Sequence, residues 1–356
     1  MKRIDIILLF SVIFLTLFGL FMIYDASSFV AFRDFFDKYY YIKGQIVWVV
    51  LGFVFLALFS YFDYRKLYNL SLPILLFGLV LLILVFIPGV GVYLLGAKRW
   101  INTGFFLLAP GEFVKLALAI YLASWLSRKE KGRLGAFLLL LGLIILLVIL
   151  QPDMGTAVVI LSEAFIVYFL SGGNLLYFAG LIPAVLTIGF ILIRISPYRL
   201  KRLESFFNIN QSIESSSYHV KQVLIALGSG GIFGVGLGNS LQKYAYLPET
   251  TTDSIFAIIA EELGFIGATF IVIIFAVVVW RGFLIATKAR DNFGKLLAGG
   301  ITAFLGVQII INLSAQTVLL PLTGIPLPFI SYGGSALIVD LCAIGILLNI
   351  SKQSSL

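Results

Sequence analysis

Asp253 is the acidic residue whose position is most compatible with chemistry. It follows three consecutive threonines in the run Leu247–Ser254, just before a long apolar stretch. A carboxylate at such a border can cap the following helix or accept a proton as a general base, and one role does not prevent the other. Thr252 places a hydroxyl group beside it and is a candidate to bind a substrate. We expect Asp253 to be the N-cap residue of the next helix.

Cations that suit a phosphate group occur in two segments. In the first, Lys98 and Arg99 adjoin Trp100. Cations beside an aromatic ring suit a phosphorylated sugar, and they suit an anchor at the membrane interface equally well. The second set lies at the start of a long segment, 197–253, and consists of Arg199, Lys201 and Arg202. Both segments are candidates for contact with phosphate groups.

Two further acidic positions have a structural explanation beside a functional one. Glu112 and Lys115 are three residues apart at a predicted helix start, so they share a face and form an ion pair. A structural role is favoured for this pair, because buried ions are paired. Asp153, in the break after Gln151, either caps the next helix or contributes to function, and the residues alone leave both open.

Four acidic residues lie inside apolar stretches, and they are Glu163, Glu261, Glu262 and Asp340. Ionisable groups in such surroundings are costly, and they belong to a functional site or to a buried network. We favour a structural network for all four. The single histidine, His219, is favoured as a hydrogen-bonding surface residue, and one histidine rules out a multi-histidine metal site.

The elements that must position these residues are transmembrane helices. Hydrophobic residues make up 61% of the 356 residues and charged residues only 12%, far from the composition of soluble globular proteins. Apolar stretches such as 134–150 have helical length and do not alternate with polar residues, which excludes a barrel. The predicted fold class is an all-α polytopic membrane protein of about ten transmembrane helices, with a single domain over residues 1–356.

The apolar stretches predict the helix positions. The predicted helices are 4–24, 44–62, 68–88, 109–127, 134–150, 155–171, 176–196, 254–280, 294–315 and 335–351. The first is a retained span rather than a signal peptide, because its apolar region is too long for one. The segment 197–253 is predicted to be a long extracytoplasmic loop that packs against the membrane body, since it is rich in apolar residues.

The segment 321–335 is predicted to be a re-entrant element. Its three prolines and three glycines cannot continue a helix, yet most of its residues are apolar. Irregular backbone at membrane depth requires burial in protein or contact with a cavity. We expect this segment, which includes Ser331 and Tyr332, to line a cavity that opens outward.

The distribution of basic residues predicts the orientation. Short basic connections at 63–66, 128–133 and 281–295 belong to the cytoplasm. Lys2 and Lys352 agree, so both termini are predicted to be cytoplasmic and the longer segments to face outward. The net charge of +8 is attributed to anionic membrane lipids or phosphates, and no nucleic acid is expected. No P-loop sequence is present, so no nucleotide hydrolysis of that kind is expected.

Six segments, taken in order, resemble the SEDS family (shape, elongation, division and sporulation), and the likeness covers nearly the whole chain. They are GAKRW at 96–100, QPDMGTA at 151–157, YHVKQ at 218–222, GSGGIFGVGLGNS at 228–240, LPETTTDSIFAIIAEELG at 247–264 and PLTGIPLPFISYGGSAL at 321–337. The sequence at 323–328 resembles that of the elongation polymerase RodA more than that of its division counterpart FtsW. One departure is that the family's Gln-Pro-Ser-Glu is Ala-Pro-Gly-Glu at 109–112.

The resemblance implies a glycosyltransferase that polymerises lipid II, a disaccharide-pentapeptide on undecaprenyl pyrophosphate. The reaction belongs to the outer face of the bacterial cytoplasmic membrane and to cell elongation and shape. By its motif, Asp253 takes the place of the family's catalytic aspartate. The implied partner is a class B penicillin-binding protein, a transpeptidase that crosslinks the product.

The implied chemistry is a single displacement that inverts an α-linked sugar pyrophosphate to a β-1,4 linkage. Asp253 would be the general base, and the cations named above are candidates to bind the phosphates. No organic cofactor is expected. A divalent cation, Mg²⁺ or Mn²⁺, is a candidate to share the phosphate charge, although the sequence shows no self-sufficient cation cage.

Two other functions remain open at this point. A flippase that carries lipid II would suit broken helices and intramembrane acids, but no matching pair of interrupted helices occurs in the two halves. If the chain were a non-catalytic scaffold for a transpeptidase, helix capping alone would explain the position of Asp253. The substitution Asp253→Asn discriminates among the three functions.

Overall fold

The computed structural model describes residues 4–94, 96–128, 133–173, 215–244 and 246–354, with scattered positions between 180 and 207. In these ranges the helices are α1 (Ile6–Phe35), α2 (Tyr40–Tyr61), α3 (Lys66–Leu84), α4 (Pro110–Leu126), α5 (Leu134–Leu150), α6 (Met154–Leu170), α7 (Ser215–Gly230), α8 (Ile255–Lys288), α9 (Asn292–Gln316) and α10 (Gly334–Gln353). Three strands, β1 (Gly91–Leu94), β2 (Ala97–Asn102) and β3 (Leu107–Leu108), form an antiparallel sheet in the order β1-β2-β3.

Six of these helices, α1, α2, α3, α8, α9 and α10, are long and apolar enough to cross a membrane, and α5 and α6 are shorter apolar helices. The most apolar stretches of α9 and α10 are 83% and 78% buried, whereas those of α2 and α8 are only 22% buried. The interior of the bundle therefore contains α9 and α10, and apolar side chains of the outer helices face lipid. The predicted all-α membrane fold is confirmed.

Most predicted helix boundaries agree with the structure to within a few residues, and 134–150 is identical. The predicted helix at 176–196 lies outside the described residues. The predicted end of the first helix at residue 24 is wrong, because α1 continues to Phe35. Asp25, the first residue beyond the predicted end, forms an ion pair with Lys243 at 2.9 Å.

Two secondary-structure elements were not predicted. The connection at 89–108 contains the three-stranded sheet, whose strands are too short to show a pattern in the sequence. The segment 197–253, predicted as a long extracytoplasmic loop, contains helix α7 over Ser215–Gly230. This helix begins with three serines and includes three glycine or serine residues in its last turn, a composition typical of loops.

A glycine loop after α7 packs into a break in α8. The break is at Gly264, where the main chain adopts φ 67° and ψ −169°. The carbonyls of Glu261 and Glu262 accept hydrogen bonds from the main-chain N–H groups of Val235 and Gly236, at 3.0 and 3.1 Å. A positive φ is available to glycine at little cost. The glycine-rich sequence therefore serves close main-chain pairing.

The two chain termini approach each other at one end of the bundle. The main-chain N–H of Asp5 donates to the hydroxyl of Ser351 at 3.2 Å. Arg281, in the last part of α8, forms an ion pair with Asp5 at 2.6 Å. We call this the terminal end, and the opposite end, where α6 and α8 begin, the Asp253 end.

The segment 321–333 is irregular and largely buried, as predicted for a re-entrant element. A methyl group added to Gly19 of α1 would lie 2.6 Å from Cα of Ile330, so the two main chains are in contact. A methyl group on Gly155 of α6 would lie 2.6 Å from the side chain of Ile325. Gly19 is about 20 Å along α1 from Ile6 at the helical rise. The segment therefore reaches well into the helix bundle.

Candidate functional site

Asp253 lies on a turn immediately before α8. The helix begins at Ile255 and its N-cap residue is Ser254, so the predicted capping role of Asp253 is wrong. Ser254 is fully buried, and its hydroxyl is 2.7 Å from Nε2 of His219 in α7. Because this contact fixes the cap one residue later, Asp253 stands outside the helix with its side chain partly exposed.

The turn is built around Glu249, which has φ 53°, a costly conformation for this residue type. Its carbonyl accepts hydrogen bonds from the N–H groups of Thr252 and Ser254, at 3.2 and 3.1 Å. Its carboxylate accepts from the hydroxyl of Thr252 at 2.8 Å. The hydroxyl of Thr252, predicted to bind substrate, therefore holds the turn closed.

Ser331 and Tyr332 fasten the same turn to the irregular segment 321–333. The hydroxyl of Ser331 donates to the carbonyl of Thr252 at 2.5 Å and accepts from the N–H of Leu327 at 2.8 Å. The N–H of Tyr332 donates to the carbonyl of Thr251 at 2.8 Å. Ser331 through its hydroxyl and Tyr332 through its main chain therefore join the irregular segment to the turn.

Two buried side-chain amides of α9, which were not predicted from the sequence, donate hydrogen bonds to the turn and to the irregular segment. Asn312 donates to the carbonyls of Asp253 and Ile325, at 3.0 and 2.8 Å. Gln308 donates to the carbonyl of Pro326 at 3.0 Å. Residues four apart share a helix face, so α9 sets the turn and the segment relative to each other. The available signal was a pair of amides inside an apolar helix.

Arg99 approaches this region from β2. Arg99 lies at a β-bulge, because its neighbours Trp100 and Lys98 pair with the consecutive residues Val92 and Tyr93 of β1. A bulge redirects the side chain of the extra residue, and the Arg99 side chain is 19% exposed. One guanidinium nitrogen of Arg99 donates to the carbonyl of Pro152, and Nη1 is 4.0 Å from Asp153 Oδ1. The Nε–H of Arg99 is buried and lacks an acceptor among the residues that the structure describes.

Asp253 and Arg99 converge on Gly324. A methyl group added to Gly324 would lie 3.4 Å from Oδ2 of Asp253 and 3.9 Å from Nη1 of Arg99. Gly324 itself has φ 75°, which favours glycine. The fold thus brings together a carboxylate and a guanidinium from distant parts of the chain. Such a pair can accept a proton and stabilise a neighbouring anion.

Asp153 and the Glu112–Lys115 pair have well-defined structural roles. Asp153 is the N-cap residue of α6, and it accepts hydrogen bonds from the N–H and the hydroxyl of Thr156, at 3.1 and 2.8 Å. Glu112 and Lys115 form the predicted ion pair at 2.7 Å in the interior. Asp153 also orients Arg99, so its cap supports the candidate site.

Glu261 and Glu262 belong to a buried network, which agrees with the structural role favoured from the sequence. Glu262 forms an ion pair with Lys243 at 3.0 Å, and Lys243 also pairs with Asp25 at 2.9 Å. Glu261 accepts hydrogen bonds from the hydroxyl and the main chain of the loop around Ser240. Both carboxylates therefore stabilise the loop that leads towards Asp253.

Two other predicted substrate-binding residues, Lys98 and Trp100, are not brought to this point. Lys98 is exposed and Trp100 is partly buried, and neither lies within 4 Å of the methyl position on Gly324 that Asp253 and Arg99 approach. Arg199, Lys201 and Arg202 lie outside the described residues. Of the three consecutive residues Lys98, Arg99 and Trp100, only Arg99 therefore approaches Gly324.

The donor set at the site does not form a metal-ion cage. Within the described ranges, no group of three or more His, Cys, Asp or Glu side chains is arranged to hold a metal ion. The convergence at Gly324 supplies one carboxylate beside a guanidinium. This combination suits a phosphate group better than a bare divalent cation, which takes several oxygen ligands.

Comparison with known proteins identifies the family. The sequence model of the cell cycle protein family that comprises FtsW, RodA and SpoVE matches residues 6–356. The chain belongs to this family. The predicted SEDS membership is thereby confirmed.

Relatives of this FtsW/RodA/SpoVE family chain align over nearly their full lengths. Stage V sporulation protein E of Bacillus subtilis is 40% identical, over 98% of this chain and 97% of the relative. A probable peptidoglycan glycosyltransferase FtsW of Geobacter metallireducens is 38% identical, over 99% and 96%. These two relatives are named for sporulation and for the division branch, whereas the prediction favoured RodA.

Solved structures share the fold. A chain of a peptidoglycan synthase complex that coordinates polymerization and crosslinking superposes with a TM-score of 0.80 and 26% identity, covering 99% of this chain and 98% of that chain. Rod shape determining protein RodA of Thermus thermophilus superposes with a TM-score of 0.73 and 26% identity, with the same coverage. The RodA-like fold and the membership of the family are therefore independent findings.

Proposed function

We propose that this chain is a peptidoglycan glycosyltransferase that polymerises lipid II into β-1,4-linked glycan strands. The observation that carries the proposal is the convergence of Asp253 and Arg99 on Gly324. The family membership and the names of the FtsW relatives support the reaction class. A scaffold would need no such convergence of a carboxylate and a guanidinium.

The proposed step is a single displacement at the anomeric carbon of the donor sugar. Oδ2 of Asp253 removes the proton of the acceptor hydroxyl group, and the oxygen attacks the anomeric carbon from the face opposite to the pyrophosphate. The bond between that carbon and the pyrophosphate oxygen breaks, and its electron pair leaves with the pyrophosphate. Inversion follows from this geometry. Since pyrophosphate is a good leaving group, no second carboxylic acid is required, unlike in glycosidases.

Arg99 is the proposed ligand of the pyrophosphate. Its Nη1 faces Gly324, and its buried Nε–H lacks an acceptor in the described part of the chain. A buried donor without an acceptor is costly, and a phosphate oxygen would satisfy it. The bonds to Pro152 and Asp153 hold the guanidinium in place before substrate binds, which is the preorganisation that stabilises developing charge.

A divalent cation, Mg²⁺ or Mn²⁺, is proposed only as an ion that would bind together with the substrate. Because the described side chains form no cage, phosphate oxygens of the substrate would have to supply most of its ligands. Asp253 is the side chain nearest to Gly324 that could contribute an oxygen. No step proposed here passes through a metal ion.

The cellular setting is also proposed. The chain would lie in the bacterial cytoplasmic membrane with both termini in the cytoplasm and the Asp253 end facing outward. The partner would be a class B penicillin-binding protein, supported by the likeness to a chain of a peptidoglycan synthase complex. A role in elongation, predicted from the segment 323–328, is supported by the RodA-like fold. Relatives named SpoVE and FtsW make sporulation and division the competing roles.

The decisive experiment follows glycan-strand formation from purified lipid II. Wild type, Asp253→Asn and Arg99→Gln are compared, each with the same transpeptidase partner, which must lack glycosyltransferase activity. The matched control is Asp34→Asn, since Asp34 is an exposed acid that pairs with Arg33. We expect long strands from wild type and the control, and none from well-folded Asp253→Asn.

The other outcomes have distinct meanings. Equal strands from wild type and Asp253→Asn would retain the enzyme and remove the base from Asp253. If no protein forms strands while a control polymerase works, the glycosyltransferase proposal fails and the flippase becomes the next candidate.

A second experiment separates the cellular roles. The gene is expressed in cells depleted of their elongation, division or sporulation polymerase. Restoration of elongation alone is the expected result.

A further inference from the structure

Two carboxyl groups in the interior of the bundle have no hydrogen-bond partner among the residues that the structure describes. They belong to Glu163 of α6 and Asp340 of α10, which are 0% and 1% exposed, and all four of their oxygens lack a donor within the described ranges. They lie about 14 Å along α6 from Met154 and about 9 Å along α10 from Gly334, at the helical rise. The proposed reaction uses neither group.

The charged groups that face these carboxyls come from α4. The ammonium group of Lys115 interacts electrostatically with both, and Glu112 interacts with Asp340. Lys115 is 1% exposed, forms the 2.7 Å ion pair with Glu112 and donates to Oε1 of Gln308 at 2.5 Å. Within the described ranges, three carboxyl groups therefore share one ammonium group.

In the part of the chain that the structure describes, no other positively charged group interacts electrostatically with Glu163 or Asp340. The α5 helix, which packs against α6, has no titratable residue in its sequence. The α9 helix contributes the uncharged amide of Gln308. Cys342 of α10 interacts with Asp340 and is neutral as a thiol. The α2 helix packs closely on α10, but its one charged residue, Lys43, is exposed near its start and pairs with Asp37.

This charge pattern determines the protonation of the cluster. An ionised carboxylate without a hydrogen bond or a counter-ion is strongly unfavourable in an apolar interior, and such a group binds a proton instead. Lys115 balances one carboxylate, and Glu112 is the one in direct contact with it. The other two carboxyls are left without a counter-charge of their own.

We propose that Glu163 and Asp340 form a proton-binding site in the membrane interior, which holds two protons at neutral pH. The ligand is the proton, and the site consists of two neutral carboxyl groups beside the Glu112–Lys115 ion pair. Ionisable residues inside membrane proteins commonly mark such proton sites.

Proton loading has a consequence for the candidate active site. With both acids neutral, Lys115 interacts only with Glu112 and with Gln308 in this cluster. The amide of Gln308 in turn donates a hydrogen bond to the carbonyl of Pro326. Pro326 is two residues from Gly324, where Asp253 and Arg99 converge. An ionised Glu163 or Asp340 would compete for the ammonium group and draw it away from Gln308.

The test is infrared spectroscopy of the full-length protein in lipid nanodiscs at neutral pH. The C=O stretch of a protonated carboxyl group is distinct from the absorption of a carboxylate, and it shifts in D₂O after exchange. Wild type is compared with Glu163→Gln, Asp340→Asn and the double variant. The matched control is Glu261→Gln, which removes a buried acid that accepts hydrogen bonds from Ser229, Ser240 and Leu241.

We expect each single variant to lose the absorption of one protonated carboxyl group, the double variant to lose two, and the control to lose none. Equal absorption in wild type and the double variant would overturn the proposal. The proposal would also be overturned if the difference in protonated-carboxyl absorption between wild type and the double variant appeared only when sodium replaced choline in the buffer. The ligand of the site would then be a metal ion.

A measurement on wild type alone protects the test against a variant that fails to fold. On alkaline titration, the protonated-carboxyl absorption should persist above neutral pH and then disappear reversibly, whereas its absence at pH 7 would overturn the proposal. Since neutral amides mimic neutral acids, Glu163→Gln and Asp340→Asn should polymerise lipid II within about twofold of wild type. The spectrum does not depend on that activity, so this proposal and the glycosyltransferase proposal fail separately.

Discussion

The side-chain amide of Asn312 donates a hydrogen bond to the main-chain carbonyl of Asp253 at 3.0 Å. A second bond from the same nitrogen reaches the carbonyl of Ile325 at 2.8 Å. Asn312 is 1% exposed, so both bonds are protected from water. Because they use the main chain of Asp253, they fix its position relative to Gly324 without occupying its carboxylate.

Replacing Asn312 by leucine should therefore impair the rate more than substrate binding. A misplacement of about 1 Å can cost about a hundredfold in rate, and we expect a ten- to hundredfold lower kcat in lipid II polymerisation. The KM for lipid II should change little, because Arg99 keeps its contacts with Pro152 and Asp153.

The matched control for this variant is Asn349→Leu. Asn349 of α10 is also a buried amide that holds main-chain groups, those of Ser60 and Tyr64, but it lies at the terminal end. It should lower the melting temperature with an unchanged kcat per folded molecule. Equal effects of the two variants on kcat would show that Asn312 stabilises the protein without positioning Asp253.

Gly324→Ala should reduce polymerisation through local crowding. The added methyl group would stand between Oδ2 of Asp253 and Nη1 of Arg99, at 3.4 and 3.9 Å, where the reacting groups of the substrate are proposed to bind. It would also strain a residue with φ 75°, at about 1 kcal/mol or more. We expect at least a tenfold loss of kcat/KM, measured with the folded fraction from size-exclusion chromatography. Gly96→Ala, at φ 78° in an open turn, is the control for strain alone.

The variant Arg99→Lys should lose activity, although lysine keeps the positive charge. Lysine keeps the positive charge but cannot hold Pro152 and Asp153 while offering further donors to a pyrophosphate. We expect a loss of ten- to a hundredfold in kcat/KM, since hydrogen bonds to charged groups contribute about 1.5–3 kcal/mol. Lys98→Arg, on the exposed face of β2, should have little effect. If the Lys98 and Arg99 variants behave alike, Arg99 is not the phosphate ligand.

The helices of this protein could be predicted from its sequence because lipid requires long apolar stretches. The boundaries of α5 and α6 follow directly from where polar residues interrupt those stretches. Helix α7 could not be predicted in this way, because it is flanked by serine and glycine and is less apolar than the membrane helices. The same reasoning placed the end of α1 too early, since Asp25 is paired with a residue 218 positions away.

The site could be predicted in part. The motifs pointed to Asp253, Arg99 and the Pro/Gly-rich segment, but their convergence on Gly324 depends on contacts between distant segments. The N-cap of α8 was predicted one residue too early, because the contact between Ser254 and His219 cannot be inferred from local sequence. Asn312 was missed for the same reason: an amide in an apolar helix does not reveal which carbonyls it holds.

Lys243→Met should destabilise the fold strongly. The side chain is 5% exposed and neutralises both Asp25 and Glu262, so its removal leaves two buried carboxylates without their cation. Breaking a buried pair by removing one partner costs about 3–5 kcal/mol. We expect a lower melting temperature from tryptophan fluorescence in nanodiscs. Adding Glu262→Gln to this variant should recover part of the loss, and no recovery would contradict the proposed pairing.

Labelling of single cysteines should reveal the orientation of the protein. Cys342 is buried, so the wild type should give a low background with a membrane-impermeant maleimide. Phe105, in the turn before β3, is 96% exposed at the Asp253 end, and Arg290, between α8 and α9, is exposed at the terminal end. If the Asp253 end faces outward, Phe105→Cys should react in intact cells and Arg290→Cys only after permeabilisation. The reverse pattern would place Asp253 on the cytoplasmic side, where an enzyme that extends strands outside the membrane could not use it.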